Sequence, residues 1–298
     1  MLCDPPPEAA PPTLEGWWSV HRALSAQADR PVDLALMAGY ASDRLAWAFG
    51  SGYQAALRAA IPELSGDQPA ALCASEAGGA HPRAIEARLT VTDDGLVLDG
   101  EKRFVTVGTA AAQLVVIARL GVRDDGRPRL GAVLVPSSAE GVRLTEGPPL
   151  SFVPELPHAS LTLEAVALPA EALRPGDAYT TLLKPFRTIE DIHVHAAVLG
   201  HLLRVAAVSG WPAPWRERGL ALACSLREIA ALDPRRPQTH LALGGLLGLA
   251  EAWAAEAEPL WAASPPDLAA RWRRDRALLN VANHARKLRL ERARELLQ

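Results

Sequence analysis

The residues typed for chemistry fall into three places: two hydroxyls at strand ends, one acid near the start of a long apolar helix, and a basic run late in the chain. Ser75 closes the apolar run Leu72-Cys73 and is followed by Glu76 and the turn Gly78-Gly79. Thr106 ends the run Lys102-Arg103-Phe104-Val105-Thr106. A hydroxyl in such a place caps or turns the chain, or it meets a ligand. Glu190 sits in Thr188-Ile189-Glu190-Asp191-Ile192-His193, where Ile189, Ile192, Ala196, Leu199, Leu203 and Ala206 form a helical apolar seam. Glu190, Ala197, His201 and Arg204 fall within about 60° of one another on a second face. Small Ala197, two turns along, would leave room for a ligand beside the acid. The bland alternative pairs Glu190 with Arg187 or His193 near the helix start.

Several chemistries are poorly supported. His193 and His195 lie about 200° apart around a helix and lack partners at i+4, so no metal site is expected. Cys3, Cys73 and Cys224 are distant from one another and show no CxxC spacing, so neither a disulfide framework nor a zinc site is indicated. Gly244-Gly245-Leu246-Leu247-Gly248 reads as a close helix–helix contact, not a phosphate loop, and no GxSxG elbow occurs. Residues 267–298 hold nine Lys/Arg against four acids. That run is a solvated face, a contact for a phosphate-bearing ligand, or a contact for an acidic neighbouring subunit. A net charge of −3, 49% apolar content and 22% charged residues give no reason to expect nucleic acid.

These residues need elements to position them. The first 13 residues are Pro/Ala-rich and expected to be extended or disordered. Trp17–Ala28 and Val32–Ile61 read as helices, broken by Pro31 and by Gly50-Ser51-Gly52 and closed by Pro62. Residues 86–97 read as strand, turn, strand, with Thr92-Asp93-Asp94-Gly95 as the hairpin. A further turn at Leu98-Asp99-Gly100 leads into Lys102–Val107. Ala112–Leu120, Arg129–Pro136, Gly141–Leu144 and Ala159–Pro169 follow as strands. From Ala178 four helices are expected, separated by the proline-bearing segments at 211–214, 233–237 and 264–266. The domains are then 1–68 (N-terminal helical segment), 69–174 (β-domain) and 175–298 (C-terminal helical bundle). No leader is visible and no run of 18 uninterrupted apolar residues occurs, so the expectation is a cytoplasmic protein without a membrane span.

The order of these pieces resembles the acyl-CoA dehydrogenases. Ser75-Glu76-Ala77-Gly78 is similar to that family's Leu-Thr-Glu-Pro-type strand end. Leu98-Asp99-Gly100-Glu101-Lys102-Arg103-Phe104-Val105-Thr106-Val107-Gly108 is similar to its Gly-Glu/Ser-Lys-x-Trp/Phe-Ile-Thr-x-Gly segment, and Val166-Ala167-Leu168-Pro169 to its last strand. The resemblance spans residues about 40–290. It implies an α+β fold with N-terminal helices, a central β-barrel-like domain and a C-terminal four-helix bundle.

It also implies FAD as cofactor, contacted by Cys73, Ser75, Phe104, Val105 and Thr106. Ser75 and Thr106 would meet the polar edge of the isoalloxazine ring and Phe104 would cover it. The activity implied is α,β-dehydrogenation of an acyl-CoA or other acyl thioester, with an electron-transfer acceptor and a homo-oligomeric assembly. Glu190 lies ten residues before Gly200, the spacing of members whose catalytic base is on this helix. Burial beside a flavin would raise its pKa towards a useful range. The loop-borne alternative, marked by Gln-x-x-Gly-Gly, is not found here.

Three departures are visible: Asp191 stands where the family has Arg, Ala80-His81-Pro82 replaces a Gly-Ser-Asp phosphate contact, and Arg-x-x-Phe-Gly is reduced to Arg216-Glu217-Arg218-Gly219. The chain thus reads as a shortened, divergent member. The alternative is an inactive relative kept for binding or assembly.

Overall fold

The computed structural model describes residues 5–8, 12–79 and 81–298, and the chain folds as two compact units. One combines Met1–Ala59, Ser151–Glu155 and Phe186–Gln298; the other comprises Ala60–Leu150 and Leu156–Pro185. The architecture is the expected one of N-terminal helices, a central curled sheet and C-terminal helices.

The sheet unit holds seven strands: β1 (Ala70–Cys73), β2 (Arg88–Thr92), β3 (Gly95–Thr106), β4 (Gln113–Val122), β5 (Pro128–Pro136), β6 (Val142–Glu146) and β7 (His158–Leu168). Their order is β1-β4-β2-β3-β7-β6, with β5 on β4. Leu114 through Ala118 of β4 are all fully buried, which accounts for an unbroken apolar run instead of alternation. The β2–β3 hairpin turns at Asp93-Asp94, as its sequence predicts. The turn expected at Leu98-Asp99-Gly100 does not form. β3 runs straight through it as one 12-residue strand. The register shifts there because β7 carries one extra residue, at Ala165 (φ 48°), opposite the glycine (φ 138°), and the chain does not reverse.

The helical unit contains α1 (Leu14–Ser25), α2 (Pro31–Ala41), α3 (Leu45–Ala60), α4 (Lys184–Val208), α5 (Ala213–Ile229), α6 (Pro237–Ala255), α7 (Pro266–Asp275) and α8 (Asn283–Glu295). The break between α2 and α3 falls at residues 42–44 and not at Gly50-Ser51-Gly52. Those three stay helical, and two of them make close contacts: the Ser51 hydroxyl accepts the Trp17 indole N–H at 2.9 Å. Gly52 lies where a Cβ would come within 2.8 Å of the His193 carbonyl. Likewise, a Cβ on Gly39 would strike the Ala197 carbonyl, and one on Gly200 the Leu36 carbonyl. The space beside Ala197 is therefore filled by backbone of α2 and α3, not left for a ligand.

The last basic segment, expected as one helix, is two. Asn280, Val281 and Asn283 are poor helix formers, and a 3-10 turn (Arg276–Asn280) separates α7 from α8. Trp215 and Trp253 stack at 3.9 Å, and each indole N–H donates to the other's backbone carbonyl. Trp211, Trp261 and Trp272 extend this aromatic core. The continuous helical stretch Tyr179–Val208 has mean hydropathy 1.2 over a window that is 83% buried, as in the core helix of a folded domain.

Candidate functional site

In the sheet unit the two expected motifs are joined by main chain. The Arg103 N–H donates to the Ser75 carbonyl at 2.8 Å, which sets Ser75, just beyond β1, against the Phe104 stretch of β3. Beyond Ser75 the chain reverses tightly, with Glu76 and Gly79 exchanging N–H···O bonds of 3.1 and 3.0 Å. Gly79, at φ 97°, permits it.

Opposite, β3 bulges between Lys102 and Val105. Phe104 takes φ 57° and Val107 φ 64°, left-handed conformations that cost on the order of 1–3 kcal/mol each in a non-glycine residue. The bulge turns the Phe104 ring outward, 65% exposed, while Val105 stays fully buried. Thr106, half-buried, pairs with His158 of β7. Ser75 is also half-buried. Cys73 is enclosed within β1, and burial pushes its thiol up to about 12. It is a neutral packing group.

Lys102 and Glu76 are the residues the sequence reading did not single out. The Lys102 ammonium is fully buried and sits 2.5 Å from the Glu76 carboxylate. Glu76 also accepts the N–H groups of Glu86 (2.7 Å) and Ala87 (3.1 Å). Burial holds Lys102 below its ordinary pKa, opposed by Glu76. Gly100 completes the junction, since a Cβ there would lie 2.6 Å from the Ala87 Cα. The signal was available: Leu96, Leu98 and Lys102 share the core face by period-2 spacing, so a charge there requires a partner.

In the helical unit Glu190 is half-buried and makes no hydrogen bond or ion pair among the described residues. The bland pairing with Arg187 or His193 is not made, because the His193 ring bonds the Ile189 carbonyl at 2.7 Å. Burial raises Glu190 to about 7. Adjacent Asp191 adds to the rise, while Arg286 and Arg187 oppose it. Asp191 itself is buried and ion-paired, to Arg286 at 2.9 Å and to Arg289. The other residues expected on the Glu190 face are occupied. His201 Nδ1 donates to the Ser42 carbonyl, and Arg204 donates to the carbonyls of Tyr40 and Pro7.

A curled sheet followed in the sequence by a long core helix is an acyl-CoA dehydrogenase-like fold. Comparison with known proteins agrees. Residues 70–166 match the family described as acyl-CoA dehydrogenase, middle domain. A probable acyl-CoA dehydrogenase, YngJ of Bacillus subtilis (strain 168), is 28% identical over 144 residues, covering 48% of this chain and 36% of the relative. The chain thus spans about a third of that relative's length.

Among solved structures, a glutaryl-CoA dehydrogenase from Mycobacterium smegmatis, in complex with FADH2, superposes with TM-score 0.70 at 17% identity, covering 95% of this chain and 89% of that one. Butyryl-CoA dehydrogenase from Megasphaera elsdenii gives 0.69 at 15%, covering 96% and 90%. These two likenesses establish the fold. The chain is similar to acyl-CoA dehydrogenases in fold, and to their middle domain over residues 70–166.

The residues present suit a flavin ring. Ser75 and Thr106 are half-buried, and the β3 bulge between Lys102 and Val105 leaves the Phe104 ring exposed near them in the sequence. In the segment where the resemblance would place a phosphate contact, Ala80 lies outside the described residues. His81 accepts the Arg83 N–H through Nδ1 and Pro82 begins a short 3-10 turn. No serine replaces the family's phosphate contact.

Proposed function

We propose that this chain is an FAD-dependent oxidoreductase that carries out α,β-dehydrogenation of an acyl thioester. Glu190 is the base, Ser75, Phe104 and Thr106 meet the flavin, and Val105, expected there too, is fully buried behind them. The strained, exposed bulge at Phe104, tied by main chain to Ser75, carries this reading. FAD, when bound, supplies the acceptor for the hydride leaving Cβ of the acyl chain. Glu190 takes the α-proton onto a carboxylate oxygen. Its elevated pKa makes it a stronger base than an ordinary glutamate, while a useful fraction stays ionised near neutrality. The Ser75 and Thr106 hydroxyls offer donors to the polar edge of the ring. Buried Val105 holds the strand behind it.

A second reading, an inactive relative acting in binding or assembly, is favoured by Asp191. Where the family carries a cation beside its base, this chain carries an acid committed to Arg286 and Arg289. One measurement separates the two. Purified protein should show a flavin absorbance band, as isolated or after adding FAD, and an acyl-CoA added without oxygen should bleach it. Glu190→Gln should keep the band and lose the bleaching. A protein that stays colourless with FAD belongs to the second reading, and bleaching unchanged in Glu190→Gln removes Glu190 from the chemistry.

A further inference from the structure

The face of α4 turned away from α2 and α3 borders a cavity of about 810 Å³ built wholly within the helical unit, between α4, α6, α7 and α8. That is the size of a small-molecule site. Its apolar wall comes from Val198, Leu199 and Leu202 of α4 together with Trp253 and Trp272. These two indoles stack on Trp215 and Trp261 in the tryptophan core. Gly248 of α6 lines the cavity, and a Cβ there would meet nothing within 4 Å.

The charges on the wall are uneven. Arg273, Arg276, Arg286, Lys287 and Arg289 line it, against Glu251 and Glu258. Arg286 and Arg289 are already shared with Asp191, and Arg276 is paired with Glu258 at 2.9 Å. Arg273, exposed at the rim, makes no ion pair among the described residues, and Lys287, its side chain 75% exposed, reaches Glu291 at 4.0 Å. An apolar wall beside two under-committed cations is the complement of a molecule with an apolar body and one anionic end. His195 lines the same space. Its Nδ1 donates to the Asp191 carbonyl at 2.7 Å, so neutral His195 keeps Nε2 as an acceptor. Burial, aided by Arg286, lowers its pKa to about 4 and keeps it neutral.

We propose that this cavity binds an amphipathic organic anion, a carboxylate or phosphate monoester on an apolar body, with Arg273 and Lys287 at the anionic end and Leu199, Leu202, Trp253 and Trp272 around the body. The site gives a role to the basic run that the flavin reading leaves unused, and it stands or falls independently of that reading.

The test uses the full chain with and without added FAD, and anilinonaphthalene sulfonate as the probe. The probe should bind saturably and quench tryptophan emission in both states. Decanoate and decyl phosphate should displace it, and whichever competes better identifies the headgroup; decanol should compete at least ten-fold less well. Gly248→Leu places a side chain into open space and also favours helix, so it should fold normally and weaken the probe at least ten-fold. The double variant Arg273→Glu/Lys287→Glu should weaken the two anions and leave decanol unchanged. Equal competition by decanol would overturn anion recognition. Unchanged binding in Gly248→Leu would overturn the location. A dimer that sediments as such in the wild type, excludes the probe and dissociates in Gly248→Leu would give the cavity to a second copy of the chain and sink the proposal.

Discussion

Glu76 and Glu190 are both acids in segments resembling the same family, and the two regions treat them in opposite ways. At the β1–β3 junction the Glu76 carboxylate is saturated by two backbone N–H groups and a buried ammonium. At the start of α4 the Glu190 carboxylate is left without a partner, while Asp191 beside it takes both arginines. A saturated carboxylate is a fastener, with its lone pairs committed to holding the fold. An unsatisfied, half-buried one carries a raised proton affinity and is available to move a proton. Burial alone does not distinguish the two; the partners do.

The largest effect should come from cutting the fastener. Glu76→Ala leaves Lys102 buried and unpaired, a loss of about 3–5 kcal/mol. Urea denaturation should show it, and adding Lys102→Met should recover most of it. A loss under ~1 kcal/mol would mean that the junction is held elsewhere.

Asp191→Asn strips two arginines of their partner, at about 1–3 kcal/mol by the same assay. It also removes the negative neighbour that helps raise Glu190. The pH midpoint of acyl-CoA bleaching should therefore move below that of the wild type; an unmoved midpoint would show that Asp191 does not tune the acid.

The pH dependence of stability sharpens the contrast further. Glu190 titrates near 4.5 unfolded and about 7 folded. It binds its proton more tightly in the native state, so its contribution is full below 4.5 and is lost as pH rises through about 7. Glu190→Gln should remove that alkaline decline, on the order of 1–2 kcal/mol between pH 5 and 8. Buried His193 and His201 and half-buried His195 run the other way. Their pKa values fall from 6.5 to about 4 through burial. Their stability is present above 6.5 and lost as pH drops through about 4, so an acid limb should persist in Glu190→Gln.

The smallest effect carries a distinctive sign. Phe104→Gly relieves a left-handed aromatic and should stabilise the apo protein by about 1 kcal/mol. The same change should weaken FAD binding in a titration. Weakened folding, or unchanged FAD affinity, would return Phe104 to an ordinary structural role.

The strand order along the sequence, the Asp93-Asp94 hairpin and the seam of α4 were legible because each is a local pattern of period 2, period 3.6 or turn chemistry. What escaped depends on contacts between distant segments. Gly50-Ser51-Gly52 reads locally as a break, yet it lies within α3, where Ser51 bonds Trp17 and Gly52 packs closely on α4. Leu98-Asp99-Gly100 reads as a turn, but Asp99 accepts the Ala165 N–H from β7 and keeps the strand running. Ala197 reads as room for a ligand until Gly39 fills it. Among the candidate residues, Ser75 and Phe104 are named through the family resemblance, and Glu190 through helical spacing together with that resemblance. The positive φ of Phe104 could not be read in this way, nor could the commitment of Asp191 to two arginines about a hundred residues away.

The glycines of the helical unit carry a consequence for how this sequence can vary. At Gly39, Gly52 and Gly200 the main chains of neighbouring helices touch, so even a methyl group must push two helices apart. Gly245 and Gly248, equally helical, face open space. In a library of random substitutions scored for folded protein, the first three should be empty columns. The last two should accept most side chains and gain helix stability from alanine.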